Sequence, residues 1–111
     1  MNILGIETSC DESAAAIYNT DKGVLSSALY SQIEIQKEFG GVIPEVASRS
    51  HLDKIDAMVK KALEVAKISL QEIDAVAVTT KPGLPGSLLI GLNFAKSLAY
   101  SLKIPLIGVN H

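Results

Sequence analysis

Apolar and polar positions fall into blocks along the chain. Asn2 to Glu7 is a short run with too little polarity for an exposed edge, which predicts a central strand. Thr8, Ser9, Cys10, Asp11, Glu12 and Ser13 then crowd hydroxyl, thiol and carboxylate side chains into a reversal, before Ala14 to Tyr18 return to apolar character as a second strand. A turn at Asn19 to Gly23, where Gly23 can take positive φ, leads to a third strand over Val24 to Ser31. Gln32 to Gly41 is polar and ends in Gly40 and Gly41, a loop with no more than a helical turn. Pro44 suits a first helical position, and Leu52, Ile55, Val59, Ala62, Leu63 and Ala66 recur at helical spacing, so a helix should run to Lys67. Ser69 and Glu72 form a capping pattern for one short turn, followed by a buried strand over Asp74 to Thr80. Lys81 to Ser87 reads as a loop feeding a second helix, about Ser87 to Leu102, with Leu88, Leu92, Ala95, Ala99 and Leu102 on one face. Ile104 to Val109 is the last strand, followed by Asn110 and His111.

An opening meander followed by alternating helices and strands argues for an α/β fold with a mixed sheet, and right-handed crossovers leave few topologies. The ribonuclease H-like order 3-2-1-4-5, with strand 2 antiparallel, satisfies them. In that order the carboxyl ends of strands 1, 4 and 5 share one rim, where ligands bind in open α/β sheets. The rim would collect the Thr8–Ser13 turn, the glycine loop and His111.

Composition narrows the classes. A chain of 111 residues is one domain with one hydrophobic core. Ten basic against twelve acidic residues give no positive field that would recruit nucleic acid to this piece alone. The single Cys10 excludes an internal disulfide and fits a reducing compartment, with cytoplasm as the default. No secretory leader pattern and no run of eighteen apolar residues is present, so the expectation is a soluble protein without a membrane partner.

Two readings of the first turn stand side by side. Ser, Thr and Asp in a turn often do no more than bond the neighbouring backbone. Alternatively, backbone N–H groups and hydroxyls cradle an anion while the carboxylates handle a metal or a proton. The glycine loop has the same ambiguity. Gly83 and Gly86 either admit close helix-to-sheet packing or help the following helix present N–H groups and its positive end to an anion. It is not a Walker loop, because GxxxxGK[ST] is absent. One histidine makes no metal site by itself, so His111 needs partners. His51, between Arg49 and Asp53, reads as a solvated helix start, and Cys10, with no basic neighbour, as a steric choice.

The blocks ILGIETSCDESAAAIY (3–18), GGVIPEVASRSHLDKI (40–55) and KPGLPGSLLIGLNFAKSLAYSLKIPLIGVNH (81–111) together resemble the amino-terminal lobe of the TsaD family. These are the tRNA N6-adenosine threonylcarbamoyltransferases, also called Gcp and formerly known as O-sialoglycoprotein endopeptidases. TSCDE is similar to the bacterial and organellar branch. The resemblance implies that residues 1–111 are the amino-terminal lobe, of actin-like ATPase (ASKHA) fold, of a two-lobe protein. It implies transfer of threonylcarbamoyl from threonylcarbamoyl-adenylate to N6 of adenosine 37 in tRNAs reading codons that begin with A. It also implies one iron or zinc ion held by an HxxxH motif after the last strand and by an Asp of the second lobe. By that match His111 is the first histidine and its partner falls four residues on, beyond this sequence. Asp11 and Glu12 match acidic residues near the family's active site, with Ser9 and Cys10 beneath them. Partners implied are a TsaB-like paralogue, a TsaE-type ATPase and tRNA.

The chain departs from the pattern at Lys81, where the glycine loop usually opens with Gly; this places a cation on the rim beside Gly83 and Gly86 as weak candidates for substrate binding. A peptidase is the competing class, but HExxH is absent. A noncatalytic TsaB-like scaffold is the third, opposed by His111 and TSCDE. Finally, Ile90 and Phe94 fall on a flank of the second helix, continued by Ser97 and Ser101, and Met58 and Val65 fall off the core stripe of the first. Either these side chains cover each other, or the helix pair is a docking surface for the paralogue and, in its absence, for a second copy of the chain.

Overall fold

The computed structural model describes residues 1–9, 12–31 and 44–110. The strands are β1 (Asn2–Glu7), β2 (Glu12–Asn19), β3 (Gly23–Ser31), β4 (Ala75–Lys81) and β5 (Leu106–Asn110); the helices are α1 (Pro44–Ala66) and α2 (Pro85–Leu102). They form one sheet in the order β3-β2-β1-β4-β5. β2 is antiparallel to β1 and β3, while β1, β4 and β5 are parallel. This is the expected ribonuclease H-like sheet order, with α1 and α2 packed on the sheet. The polar segment 32–41, Cys10, Asp11, His111 and the side chain of His51 lie outside the described residues.

Local chemistry explains the joints. Asn19 Oδ1 accepts from the N–H groups of Asp21 and Lys22, each at 2.9 Å, and Gly23 turns the chain at φ +84°, a conformation open to glycine. Asn2 binds the start of β1 to the start of β4: its N–H donates to Asp74 Oδ2 at 2.7 Å and its Nδ2 to the Glu72 carbonyl at 3.0 Å. Glu72 closes the single 3-10 turn (Leu70–Glu72) by accepting from Ser69 N, the expected cap. Both helices end in a lysine, Lys67 or Lys103, with φ near +58° in place of the usual glycine.

The register puts Leu4, Ile6, Ala15, Ile17, Val76 and Val78 on one face of the sheet, where they are buried with Ile55, Val59 and Ala62 of α1 and Ala95 and Ala99 of α2. Ser26 Oγ on β3 donates to the Ala62 carbonyl at 2.7 Å, which ties α1 to the same face. Among the described residues nothing covers the opposite face, which is mostly apolar. Tyr18, Val24, Leu29, Ile107 and Val109 stand exposed on it by register, around a hollow of about 280 Å³ floored by Gly5, Ala14, Ala16 and Ala77.

Several boundaries differ from the sequence-based expectation. β2 starts at Glu12, so Glu12 and Ser13 are strand residues paired with Ser31 and Tyr30, and the polar reversal is shorter; polar side chains do not prevent backbone pairing. α2 starts at Pro85, a residue preset for the first helical position, so Gly86 and Ser87 belong to its first turn. Lys81 is the last residue of β4, which leaves Pro82–Leu84 as the loop. β5 starts at Leu106 because Ile104 N still bonds the Ala99 carbonyl at the end of α2.

The sheet-facing stripe of α2 also differs. Its fully buried residues are Ser87, Gly91, Ala95 and Ala99, whereas Leu88, Leu92 and Leu102 are half-buried at its sides. Small residues four apart let the helix axis come close to the sheet. At Gly91 the approach is closest: a Cβ there would lie 3.4 Å from Thr8 Cβ and collide with Thr8 Oγ1. Overpacking of this kind costs about 1–3 kcal/mol. Gly91→Val should therefore destabilise the chain by about 2–3 kcal/mol in urea unfolding, well outside the effect of valine at a solvent-facing helix site; an unchanged midpoint would mean that α2 retreats from the sheet freely.

Candidate functional site

The parallel strands β1, β4 and β5 end together, so one rim carries Thr8 and Ser9 after β1, Pro82 to Leu84 after β4, and Asn110 at the end of β5. Glu12, at the start of antiparallel β2, joins them from the other side of β1. The turn and the glycine loop are in direct contact. Leu84 N–H donates to the Ser9 carbonyl at 2.7 Å, and a Cβ on Gly83 would stand 2.8 Å from Ser9 Cβ and run into the Ser9 carbonyl oxygen. Gly83 thus admits close packing of loop against turn; the helix-to-sheet approach belongs to Gly91 instead. Gly83 and Gly86 have no positive φ, so backbone freedom is not the reason for either.

Thr8 is buried, and its hydroxyl donates to the Ser87 carbonyl at 2.7 Å in the first turn of α2. Ser87 Oγ is fully buried without a hydrogen-bond partner. Glu7 sends its side chain to the other sheet face, where Oε1 accepts from Ser9 N–H at 2.5 Å and Oε2 from the Thr79 hydroxyl at 2.7 Å. Ser9 is therefore gripped at both its N–H and its carbonyl.

Among the residues singled out from the sequence, Ser9, Glu12, Lys81 and Gly83 meet on this rim, and Gly86 sits exposed in the first turn of α2 just behind it. Lys81 pairs with Asn110 across β4 and β5, is exposed, and has no positive φ, so its replacement of glycine brings no backbone strain. Asp11, Cys10 and His111 lie outside the described residues, each adjacent in sequence to a rim residue. Sequence reasoning missed Glu7, Thr79 and Gly91, and named Thr8 only as part of the turn. The signal for Gly91 was present in the small residues spaced four apart from Ser87 to Ala99, whereas Glu7 and Thr79 meet only after β1 and β4 pair.

Among the described residues no three His, Cys, Asp or Glu side chains converge into a metal centre. The rim's described side chains offer hydroxyls, a lysine and the carboxylates of Glu7 and Glu12, the first already bonded to Ser9 and Thr79, a set that does not compose an iron or zinc site. Among the described residues, no helix is long and apolar enough to cross a membrane.

The family model for TsaD, tRNA N6-adenosine threonylcarbamoyltransferase, matches residues 23–111. The chain belongs to the TsaD family. It is 59% identical over 111 residues to a tRNA N6-adenosine threonylcarbamoyltransferase of Caldicellulosiruptor saccharolyticus, covering 100% of this chain and 33% of that protein. It is 60% identical over 109 residues to the Clostridium perfringens enzyme of the same name, covering 98% of this chain and 32% of that protein. The chain thus spans about a third of the length of these TsaD proteins. A solved structure titled YeaZ from Pseudomonas aeruginosa superposes with a TM-score of 0.72 at 21% identity, over 98% of this chain and 42% of that one, which shows the same fold.

The contact between loop and turn gives a direct test. Gly83→Ala should break the Leu84 to Ser9 hydrogen bond and lower stability by about 1–3 kcal/mol. Hydrogen exchange at the Leu84 amide should accelerate while the β1–β4 ladder stays protected; an unaltered Leu84 rate would show that the loop absorbs the methyl group elsewhere.

Proposed function

We propose that the full-length protein is a tRNA N6-adenosine threonylcarbamoyltransferase in which this chain is the amino-terminal lobe of two. The observation that carries the reading is identity of 59% to such an enzyme along the whole chain, in a fold where Ser9 and the glycine loop meet on one rim. The substrates are threonylcarbamoyl-adenylate and tRNAs reading codons that begin with A. In the reaction the N6 amine of adenosine 37 attacks the carbamoyl carbonyl of the mixed anhydride. A C–N bond forms, the C–O bond to the adenylate breaks, and the amine loses a proton.

Asp11 and Glu12 are the carboxylates that take that proton. The Ser9 turn, and the glycine loop with Lys81, Gly83 and Gly86, shape the floor under the substrates, and Lys81 adds a cation facing phosphate or RNA. His111 contributes one imidazole to an iron or zinc ion whose other ligands lie outside this sequence. When bound, that ion supplies Lewis-acid polarisation of the carbonyl.

Full-length protein supplied with unmodified tRNA and threonylcarbamoyl-adenylate should yield N6-threonylcarbamoyladenosine by nucleoside mass spectrometry. The double variant Asp11→Asn/Glu12→Gln should lower kcat about 10²–10⁴-fold. Cleavage of a labelled glycoprotein without tRNA product would favour a peptidase, and no product with no bound metal a noncatalytic scaffold. The isolated 111-residue chain should be inactive and should not hold iron or zinc tightly, because one imidazole is too few. Stoichiometric binding at about micromolar or tighter, lost in His111→Ala, would overturn that.

The helix pair supports a partner reading. Between α1 and α2 lies a groove of about 370 Å³ lined by Ile55, Asp56, Ile90, Asn93, Phe94 and Ser97, with Val65 exposed on α1. Ile90 and Phe94 are only half-buried, so the helices do not fully cover each other's apolar flanks. We assign this surface to a TsaB-like paralogue, in a complex that also engages a TsaE-type ATPase and tRNA in the cytoplasm. Without the paralogue, the isolated chain should pair with itself across a two-fold axis. Sedimentation at high concentration should give a dimer for wild type and a monomer for Phe94→Glu; the same state for both would place the interface elsewhere.

A further inference from the structure

β1 ends on an acid that bridges two elements of the rim. Glu7 lies on the sheet face away from the helices, in the hollow it shares with Ala14, Thr79 and Val109. Its Oε2 accepts from the Thr79 hydroxyl at 2.7 Å, and Thr79 is itself only 8% exposed, in the middle of the β4 rim. Its Oε1 accepts from the Ser9 N–H at 2.5 Å. Ser9 is the last described residue of the turn after β1 and meets the glycine loop on the rim, so its two peptide groups are where that turn is held.

A carboxylate suits this task because it only accepts, and because bonds to a charged oxygen are shorter and stronger than neutral ones. Thr79 fixes the carboxylate from β4, and the carboxylate fixes the turn. The opposite side of Ser9 is held through its carbonyl by Leu84 N–H at 2.7 Å. The peptide groups on both sides of Ser9 are thus anchored to elements that are themselves paired in the sheet or packed on it.

We propose that Glu7 is a positioning residue: by bridging Thr79 and the Ser9 amide it holds Ser9 and the glycine loop bonded to it in the arrangement the transfer reaction needs. The inference rests on the transferase reading above. It predicts a loss in turnover from a side chain that touches no substrate, since a displacement of about 1 Å in a reacting group can lower a rate about 10²-fold.

The test uses the full-length protein with Glu7→Ala, Glu7→Gln, Thr79→Val and Thr79→Ser. Glutamine keeps a carbonyl for the Ser9 N–H and offers its NH₂ to the Thr79 oxygen, so the bridge survives without charge. Glu7→Ala should lower kcat about 10²-fold with KM for tRNA unchanged, while Glu7→Gln stays within about threefold of wild type. Thr79→Val should fall about tenfold and Thr79→Ser should restore the rate. Glu7→Gln as slow as Glu7→Ala would mean that the charge itself acts, and a Glu7→Ala enzyme at full rate would mean that the bridge is idle; either sinks the proposal. If Glu7→Ala fails to fold, the Thr79 pair decides, and equal rates for valine and serine overturn it. If wild type makes no product, the transferase reading fails, and hydrogen exchange at Ser9 decides the bridge: faster exchange in Thr79→Val supports it, unchanged exchange refutes it.

Discussion

The distance between α2 and the sheet is set where Gly91 passes over Thr8. A helix normally rests on a sheet through a layer of side chains, but here the stripe Ser87, Gly91, Ala95 and Ala99 is so small that the helix backbone comes nearly into contact with the strand. The gain is that a backbone carbonyl, that of Ser87, lies 2.7 Å from the hydroxyl of Thr8, just past the end of β1. A buried hydroxyl without such a partner carries a desolvation penalty of about 1–3 kcal/mol, so the close approach and the buried Thr8 require each other. The short Pro82–Leu84 loop follows from the same constraint, because a helix lying this low can begin at once beyond β4.

The two faces of the sheet solve different problems. The helix face is filled by Leu4, Ile6, Ile17, Val76 and Val78 under α1 and α2, as a parallel sheet demands. The other face carries glycine and alanine along its middle, with Tyr18, Val24, Leu29, Ile107 and Val109 standing up around them. An apolar surface of this form is what contact faces look like. Glu7 and Thr79 interrupt it only at the rim, where their polar atoms are turned onto each other and onto the Ser9 backbone.

Much of this architecture is legible in the chain. Periods of two and 3.6 residues place the strands and helices, and crossover handedness is enough to order the sheet. Boundaries shift where side-chain polarity and backbone pairing part company: Glu12 and Ser13 read as turn but pair with Ser31 and Tyr30, and Lys81 reads as loop but ends β4. Leu88, Leu92 and Leu102 stand out as the buried face of α2 because hydrophobicity stands for burial only when there is room, and the room under α2 is one methyl group deep. The meeting of Ser9 with the glycine loop follows from topology alone. Its anchoring by Glu7 and Thr79 does not, because those residues lie 72 positions apart and are joined only by the pairing of β1 with β4.

α2 is a single continuous helix with a fastening at one end and a grip along its flank. Its first turn is bonded to Thr8, immediately before Ser9, and one to two turns further on Ile90 and Phe94 line the groove against α1. At 1.5 Å per residue its eighteen residues make a rod about 27 Å long. A rod transmits rotation without bending. Whatever clasps the groove therefore handles the same element whose first turn is bonded to Thr8, and a twist about its axis arrives there as a sideways push on one threonine.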